Sequence, residues 1–179
     1  MVKKVELADG GIAVVGIDPG DTGAIAVIYP DIELRDVWDF DDPEGMLVLE
    51  DLAAYNRAKT EVFLERVHAM PKQGISSTAK FMTNFGRWWG RLEALGLPFA
   101  FVTPQTWQKE VFGAMPRRKL ASGKVDTKGM SLEAARRLYP GLAPKKLTRK
   151  KDNGRADALC IAHFGRRSLC AWEEKNLRH

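Results

Sequence analysis

Acidic side chains occur at four places in the sequence where a folded chain would hold them rigidly. Asp18 ends an apolar run, Glu65 stands near the end of another, and Asp157 falls in the first turn of a C-terminal helix. Asp152 precedes that helix by a few residues. Carboxylates brought together repel one another and stay protonated unless cations neutralise them. If folding makes these acids converge, they form a site for cations.

Oxygen ligands without cysteine or clustered histidine select Mg²⁺ or Mn²⁺ over Zn²⁺. Two such ions roughly 4 Å apart can activate a water molecule and stabilise the leaving oxygen of a phosphodiester. The sequence therefore predicts a site for two Mg²⁺ ions, with Mn²⁺ as a substitute. The candidate catalytic residues and metal ligands are Asp18, Glu65, Asp157 and Asp152.

Each acid also has a purely structural interpretation. Asp18 could shape its glycine-rich turn, and Glu65 could form a surface ion pair with a neighbouring cation. Asp157 would be favoured by the dipole at the start of its helix, and Asp152 could cap that helix. Taken singly the acids leave these alternatives open, whereas Asp18, Glu65 and Asp157 together favour a shared site.

Positive charge is concentrated in segment 116–151, while acids prevail in segment 18–65. The net charge is +5 and the isoelectric point is about 9.3. This asymmetry favours a polyanion bound to one face. In a nucleic-acid complex, cations would hold the backbone while the acids hold the metal ions. The basic residues of the segment are Arg117, Arg118, Lys119, Lys124, Lys128, Arg136, Arg137, Lys145, Lys146, Arg149, Lys150 and Lys151.

Hydrophobic periodicity and turn residues predict a mixed α/β sheet with helices on both faces. In such sheets, ligand sites lie outside the ends of parallel strands. We expect Ser76 or Ser77 to cap the second helix, and basic loops at 113–124 and 140–151. Strands are predicted at 12–18, 24–30, 34–40, 61–67 and 99–102, and helices at 43–57, 76–95, 103–112, 128–138 and 154–166.

The long helix that ends near Leu95 carries aromatic residues facing more than one direction. One interpretation is that one side packs on the sheet while the other meets a partner chain, with Trp88 and Trp89 as the contact residues. The alternative is a helix enclosed in the core.

The length of 179 residues and the hydrophobic content of 45% fit one domain spanning 1–179, with a core at about 12–168 and a short C-terminal tail. Cys160 and Cys170 lack metal-binding spacing and fit a reduced, cytoplasmic protein. No apolar run approaches the length of a membrane span, and no hydrophobic signal core follows Met1.

The motifs around the acids resemble those of the RuvC-type Holliday junction resolvases in order and spacing, over about residues 12–168. The similarity is closest to the RuvC-like proteins of bacteriophages, which would place the chain in the cytoplasm of a bacterial host. The matching motifs are Gly16-Ile17-Asp18-Pro19-Gly20, Leu64-Glu65-Arg66-Val67, Gln73-Gly74-Ile75-Ser76-Ser77 and Ala156-Asp157-Ala158-Leu159-Cys160-Ile161-Ala162.

The resemblance implies an RNase H-like mixed five-stranded sheet, a homodimer, and Mg²⁺-dependent nicking of symmetrically placed strands in four-way DNA junctions. It makes Asp18, Glu65 and Asp157 metal ligands. The family usually places a further Asp or His about one helical turn before the last acid, where this chain has Asn153 and Gly154, so that Asp152 is the available substitute.

The same resemblance gives Lys128 the role of the basic residue near the scissile phosphate. Lys72 and Gln73 are candidates to bind DNA, and Phe81 and Phe85, which follow them along the chain, are candidates to stack against unpaired bases at the branch point. Four further residues are candidates for phosphate contacts that position the DNA, although a solvated basic loop is the alternative. These residues are Arg117, Arg118, Lys119 and Lys124.

Two other functions fit parts of the sequence. A Gly-Ile-Asp-x-Gly-x-Thr-Gly turn that binds nucleotide phosphates occurs in sugar kinases and actin-like ATPases, and Thr22 and Gly23 resemble it. Those enzymes enclose ATP with a second domain, for which 179 residues leave no room. A branched-DNA-binding protein without catalytic activity would share the basic surface.

Overall fold

The structure is a computed structural model that describes residues 12–29, 34–66, 74–113 and 115–176. The strands are β1 (Ala13–Asp18), β2 (Ala24–Tyr29), β3 (Leu34–Asp39), β4 (Thr60–Glu65) and β5 (Phe99–Val102). The helices are α1 (Pro43–Tyr55), α2 (Ile75–Leu95), α3 (Pro104–Phe112), α4 (Thr127–Leu138), α5 (Ala143–Lys146) and α6 (Asn153–Asn176), with 3₁₀ turns at Arg57–Lys59 and Lys150–Asp152.

The strands form one five-stranded sheet in the order β3-β2-β1-β4-β5. β1 pairs antiparallel with β2 and parallel with β4, and β4 pairs parallel with β5. Because Ile17 lies opposite Leu64 in the β1–β4 ladder, the next residues, Asp18 and Glu65, leave the sheet at the same level. The fold class expected from the sequence, an RNase H-like mixed sheet with helices on both faces, is confirmed.

Alternation along the strands divides the core between the two faces of the sheet. Val14 and Phe63 belong to the cluster that packs against α3, α4 and α6, whereas Val15 and Leu64 belong to the cluster against α1 and α2. Residues two apart in a strand share a face. Asp18 lies on the same face of β1 as Val14, and Glu65 lies on the same face of β4 as Phe63. Both acids therefore point toward the α6 face.

The helix α6 lies directly on β1 at Gly16. A Cβ atom at this position would collide with the backbone of Ala158 and Ala162 in α6. The absence of a side chain at Gly16 thus lets the helix approach closely and places Asp157 beside the end of β1.

Several local expectations need correction. The helix α2 begins at Ile75 with Gly74 as its N-cap and no side-chain capping bond, so neither Ser76 nor Ser77 caps it. The helix α6 runs to Asn176 rather than ending near residue 166. The basic segment 113–124 is not simply a loop, because Lys119 and Val125 form a β-bridge.

The second basic segment also contains regular structure, namely α5 and the following 3₁₀ turn. The short helix α5 contacts the edge strand β3: the Nζ of Lys146 donates to the carbonyl oxygen of Val37 at 3.1 Å and lies 3.0 Å from an oxygen of Asp36. No helix in the described part of the chain has the length and apolar character needed to cross a membrane.

We predict that Gly16→Ala lowers the free energy of unfolding by about 1–3 kcal/mol, because the added methyl group overpacks the β1–α6 contact. Chemical denaturation measures this change. Gly141→Ala is the matched control, since a Cβ there has no neighbour within 4 Å, and we expect a change of at most about 0.5 kcal/mol. Equal stability of the Gly16→Ala protein and the wild type would contradict the close approach.

Candidate active site

Asp18 lies at the carboxyl end of β1 and is only 8% exposed. Its Oδ1 accepts a hydrogen bond of 2.8 Å from the backbone N–H of Gly20 in the turn that follows. Burial raises the pKa of Asp18 to about 6, although the Gly20 hydrogen bond and the positive charge of Lys128 oppose the shift. The rigid strand end and this turn fix where the carboxylate points.

Glu65 occupies the equivalent position at the end of β4. Burial and the negative charge of Asp18 raise the pKa of Glu65 to about 8. The indole N–H of Trp107 opposes this shift by donating to Glu65 Oε1 at 2.7 Å. Since Asp18 shifts the Glu65 pKa, the two strand ends hold their carboxylates close together.

Asp157 approaches the same place from the first turns of α6. Burial, the negative charge of Asp18 and, more weakly, that of Glu65 hold its pKa well above the ordinary value, opposed by the Ser131 hydroxyl and by Lys128. The structure therefore brings Asp18, Glu65 and Asp157 together on one face of the sheet. We call this group the acid cluster.

The donor set of the acid cluster suits a hard divalent cation. Carboxylate oxygens are the ligands that Mg²⁺ and Mn²⁺ prefer, and a bound cation would relieve the mutual repulsion of the acids. Among the described residues, no three His, Cys, Asp or Glu side chains are already arranged around a common point that could hold a metal ion. The acid cluster thus has ligand atoms that suit a metal ion. Its carboxylates would have to turn before they could contact one ion together.

The structure places Asp152 apart from the acid cluster. Its carboxylate accepts hydrogen bonds from the backbone N–H of Arg149 at 2.8 Å and from the guanidinium of Arg149 at 2.8 and 3.1 Å. These bonds, with the charge of Arg155, lower the pKa of Asp152 against the effect of its burial. Asp152 therefore stabilises the 3₁₀ turn that leads into α6, and its recorded hydrogen bonds come from Arg149 rather than from an N–H of α6, as the capping alternative of the sequence analysis would require.

The start of α6 excludes a side chain at Gly154, one of the two positions one helical turn before Asp157. A Cβ atom at Gly154 would collide with the carbonyl group of Thr22 in the β1–β2 turn. The neighbouring Arg155 donates to both carboxylate oxygens of Asp39, at 2.6 and 2.5 Å, and ties the helix to β3. The helix thus meets the sheet so closely that no side chain fits at position 154.

Lys128 lies in the first turn of α4, which Asp126 caps by accepting a 3.0 Å hydrogen bond from the N–H of Gly129. The charge of Lys128 lowers the pKa of both Asp18 and Asp157. Lys128 is therefore a cation next to the acid cluster.

The predicted DNA-contacting residues occupy different environments. Lys72 and Gln73 lie outside the described residues, and Phe81 is half-buried against the α1–α2 core. Phe85 and Trp88 are buried in that core, so neither presents its ring to DNA or to a partner chain. The residues Arg117, Arg118, Lys119 and Lys124 are all exposed.

Two backbone hydrogen bonds shape the basic segment before α4: Asp126 N–H to Arg118 O at 2.9 Å, and Leu120 N–H to Lys124 O at 2.8 Å. We call residues 117–126 the basic hairpin. The guanidinium of Arg118 also pairs with Glu133 in α4 at 2.8 Å. The hairpin is thus connected to α4, the helix that carries Lys128.

Sequence reasoning missed Trp107 and Ser131, which both contact the acid cluster. Trp107 lies in α3, which directly follows β5, and Val102 at the end of β5 pairs in register with Glu65. The parallel pairing of β4 and β5 was the available signal, since it brings the start of α3 close to Glu65. The sequence contained no comparable signal for Ser131.

The fold is similar to that of solved RuvC structures. T. thermophilus RuvC in complex with a Holliday junction substrate matches with a TM-score of 0.51 and 18% identity, over 88% of this chain and 96% of that chain. A second Thermus thermophilus RuvC structure has a TM-score of 0.46 at 18% identity, with coverage of 88% and 96%. No protein-family model matches the chain, and no curated protein matches its sequence. The first likeness shows that this chain has a RuvC-like fold.

We predict that the metal-free protein loses stability as the pH rises from about 4.5 to about 8, the ordinary and the folded-state pKa of Glu65. In this range the folded protein retains a proton that the unfolded chain releases, so a rising pH favours unfolding. In the Glu65→Gln protein, the loss of unfolding free energy over this pH range should be smaller by a few kcal/mol, because each unit of pKa shift corresponds to about 1.4 kcal/mol.

Urea denaturation in EDTA at pH 5 and pH 8 measures the effect. Asp41→Asn, which changes an exposed acid, is the control and should leave the pH dependence as in the wild type. An unchanged pH dependence in Glu65→Gln would show that Glu65 is not buried beside another acid.

Proposed function

We propose that this protein is a metal-dependent, structure-specific endodeoxyribonuclease that resolves four-way DNA junctions by paired nicks. The observation that carries the proposal is the convergence of Asp18, Glu65 and Asp157 at one end of an RNase H-like sheet. The solved RuvC with the similar fold is described as bound to a Holliday junction substrate, which supports a branched DNA substrate here.

In the proposed reaction, Asp18, Glu65 and Asp157 hold Mg²⁺, or Mn²⁺ in its place, through carboxylate oxygens. Bound there, such ions would supply activation of a water molecule and stabilisation of the leaving oxygen of the phosphodiester. The strand ends β1 and β4 and the helix α6 hold the three acids from different directions, so that only their side chains would need to turn for the carboxylates to share a cation.

Lys128 has two roles in this proposal. It partly offsets the negative charge of the acid cluster in the free protein, as its effects on the Asp18 and Asp157 pKa values indicate. When DNA is bound, its ammonium group contacts the phosphate at the cleavage position. The exposed cations of the basic hairpin hold the neighbouring backbone phosphates, which positions the DNA without reading its sequence.

A homodimer follows from the symmetry of the substrate, because a four-way junction presents two equivalent phosphates related by a two-fold axis. One exposed apolar surface suits such a contact. Met82 and Trp89 of α2 and Phe101 of the edge strand β5 are 41%, 40% and 40% exposed, and the Trp89 and Phe101 rings meet edge to face at 5.4 Å. We call these residues the aromatic patch and propose that it joins two copies of the chain.

Cleavage of labelled four-way, Y-shaped and linear duplex DNA tests the nuclease proposal. In Mg²⁺ or Mn²⁺ we expect paired nicks in the four-way junction and none in EDTA. Asp18→Asn should lower the cleavage rate by about 10²–10³, since loss of a metal ligand removes several kcal/mol of transition-state stabilisation. Junction affinity in Ca²⁺ should stay within about threefold of the wild type.

Asp152→Asn is the matched control, because it changes a carboxylate that binds Arg149 rather than the acid cluster. Cleavage near the wild-type rate in Asp18→Asn would remove Asp18 from the site. Equal cutting of linear duplex would rule out junction selectivity. Tight junction binding with no metal-dependent nicking in the wild type would identify a non-catalytic binding protein.

We predict that the double substitution Trp89→Glu and Phe101→Glu converts a dimer into a monomer. The new carboxylates of one copy would lie against those of the other copy across the contact and repel them. Light scattering after size exclusion measures the mass, and a supercoiled cruciform plasmid distinguishes paired from independent nicks. Tyr55→Glu, which changes a 74% exposed aromatic residue of α1, is the control and should remain dimeric. A dimer that persists after the double substitution would place the interface elsewhere.

A further inference from the structure

Trp107 joins the acid cluster through a single directional contact. Its indole N–H donates to Glu65 Oε1 at 2.7 Å, across 42 positions of sequence. An indole nitrogen can only donate, so the acceptor in this pair is fixed as the carboxylate. The bond occupies Oε1, and the structure records no hydrogen bond to Oε2 from the described residues.

The ring of Trp107 is held rigidly. It is 1% exposed, and it meets the ring of Phe112 edge to face at a centroid distance of 5.5 Å. The helix α3 that carries it begins with Thr103, whose Oγ1 accepts from the N–H of Thr106, and Pro104 follows in the first turn. A buried ring on a capped helix has little rotational freedom, so it fixes the direction of its N–H.

We propose that Trp107 is a positioning residue that orients Glu65 as a metal ligand. The indole holds Oε1, and Oε2 is thereby turned toward Asp18 and Asp157, where the cation binds. Carboxylates that bind metals are commonly held by a hydrogen bond from a residue that does not itself touch the ion. This inference rests on the proposed function, and it assigns to α3 a part in building the site.

A structural alternative is that Glu65 serves only as the hydrogen-bond acceptor for the buried indole N–H of Trp107. A second tryptophan shows that the fold does not require a hydrogen-bond acceptor for every buried indole. Trp88 is also 1% exposed, and its buried indole nitrogen has no hydrogen-bond partner among the residues that the structure describes. A buried tryptophan in this protein can therefore lack an acceptor, whereas Trp107 is placed on one of the three clustered acids.

Trp107→Phe and Trp88→Phe form a matched pair for the test. Both replace a buried indole with a smaller ring, but only the first removes a hydrogen bond to Glu65. Calorimetric titration of the protein with Mn²⁺ alone, without DNA, should show about tenfold weaker binding for Trp107→Phe and wild-type binding for Trp88→Phe. Thermal denaturation in EDTA reports any general loss of stability in either variant.

The double variant Glu65→Gln with Trp107→Phe provides a second readout. If Trp107 acts through Glu65, its replacement should cause no further loss of Mn²⁺ affinity once Glu65 is neutral. Additive losses would show that Trp107 acts independently of Glu65 and would overturn the proposal. An unchanged Mn²⁺ affinity in Trp107→Phe, or equal losses in both tryptophan variants, would overturn it as well.

A measurement on the wild type keeps the proposal testable if Trp107→Phe does not fold. The assigned indole N–H resonance of Trp107 should shift on addition of Mg²⁺, while that of Trp88 should not. No shift at Trp107, in a protein that binds Mg²⁺ and cuts junctions, would overturn this inference alone. A wild-type protein that neither binds Mg²⁺ nor cuts junctions would overturn the proposed function together with it.

Discussion

The constraint on which the structure depends is the withdrawal from water of three neighbouring carboxylates at one end of the sheet, where Asp18 is buried and Glu65 and Asp157 are half-buried. Removing charged groups from water is unfavourable, and each added negative charge makes the next one harder to ionise. The raised pKa values of Asp18, Glu65 and Asp157 express this cost. Lys128 offsets only part of it. A site of this kind lowers the free energy of the folded protein by taking up protons or cations, which is why metal binding is the chemistry that it favours.

Close backbone packing holds the acids together against this repulsion. Helix α6 meets β1 at Gly16 and the β1–β2 turn at Gly154, with no room for a side chain at either point. The ion pair of Arg155 with Asp39 then fixes the start of the helix to β3. The contacts that stabilise the fold and the contacts that bring Asp157 to Asp18 are therefore largely the same ones.

The sequence predicted most of the fold because strands and helices follow local periodicity. It also predicted which acids stand at strand ends, and parallel pairing of β1 with β4 then brings Asp18 and Glu65 level. It ranked Asp152 below these acids, but it could not predict the Arg149 side chain that folds back onto the Asp152 carboxylate. The bond between Trp107 and Glu65 joins distant elements, and nothing local in the sequence predicts the direction of a buried ring.

The two faces of the sheet have separate roles in the proposed function. The acid cluster lies on the α6 face, whereas α2 packs on the opposite face and carries Trp89 of the aromatic patch beside the edge strand β5. A contact between copies through that patch would therefore lie on the face opposite the acid cluster. Each copy can then offer its acids and its basic hairpin to one DNA molecule. The division of the core by strand alternation would therefore allow one sheet to support both the proposed self-association and the proposed cleavage.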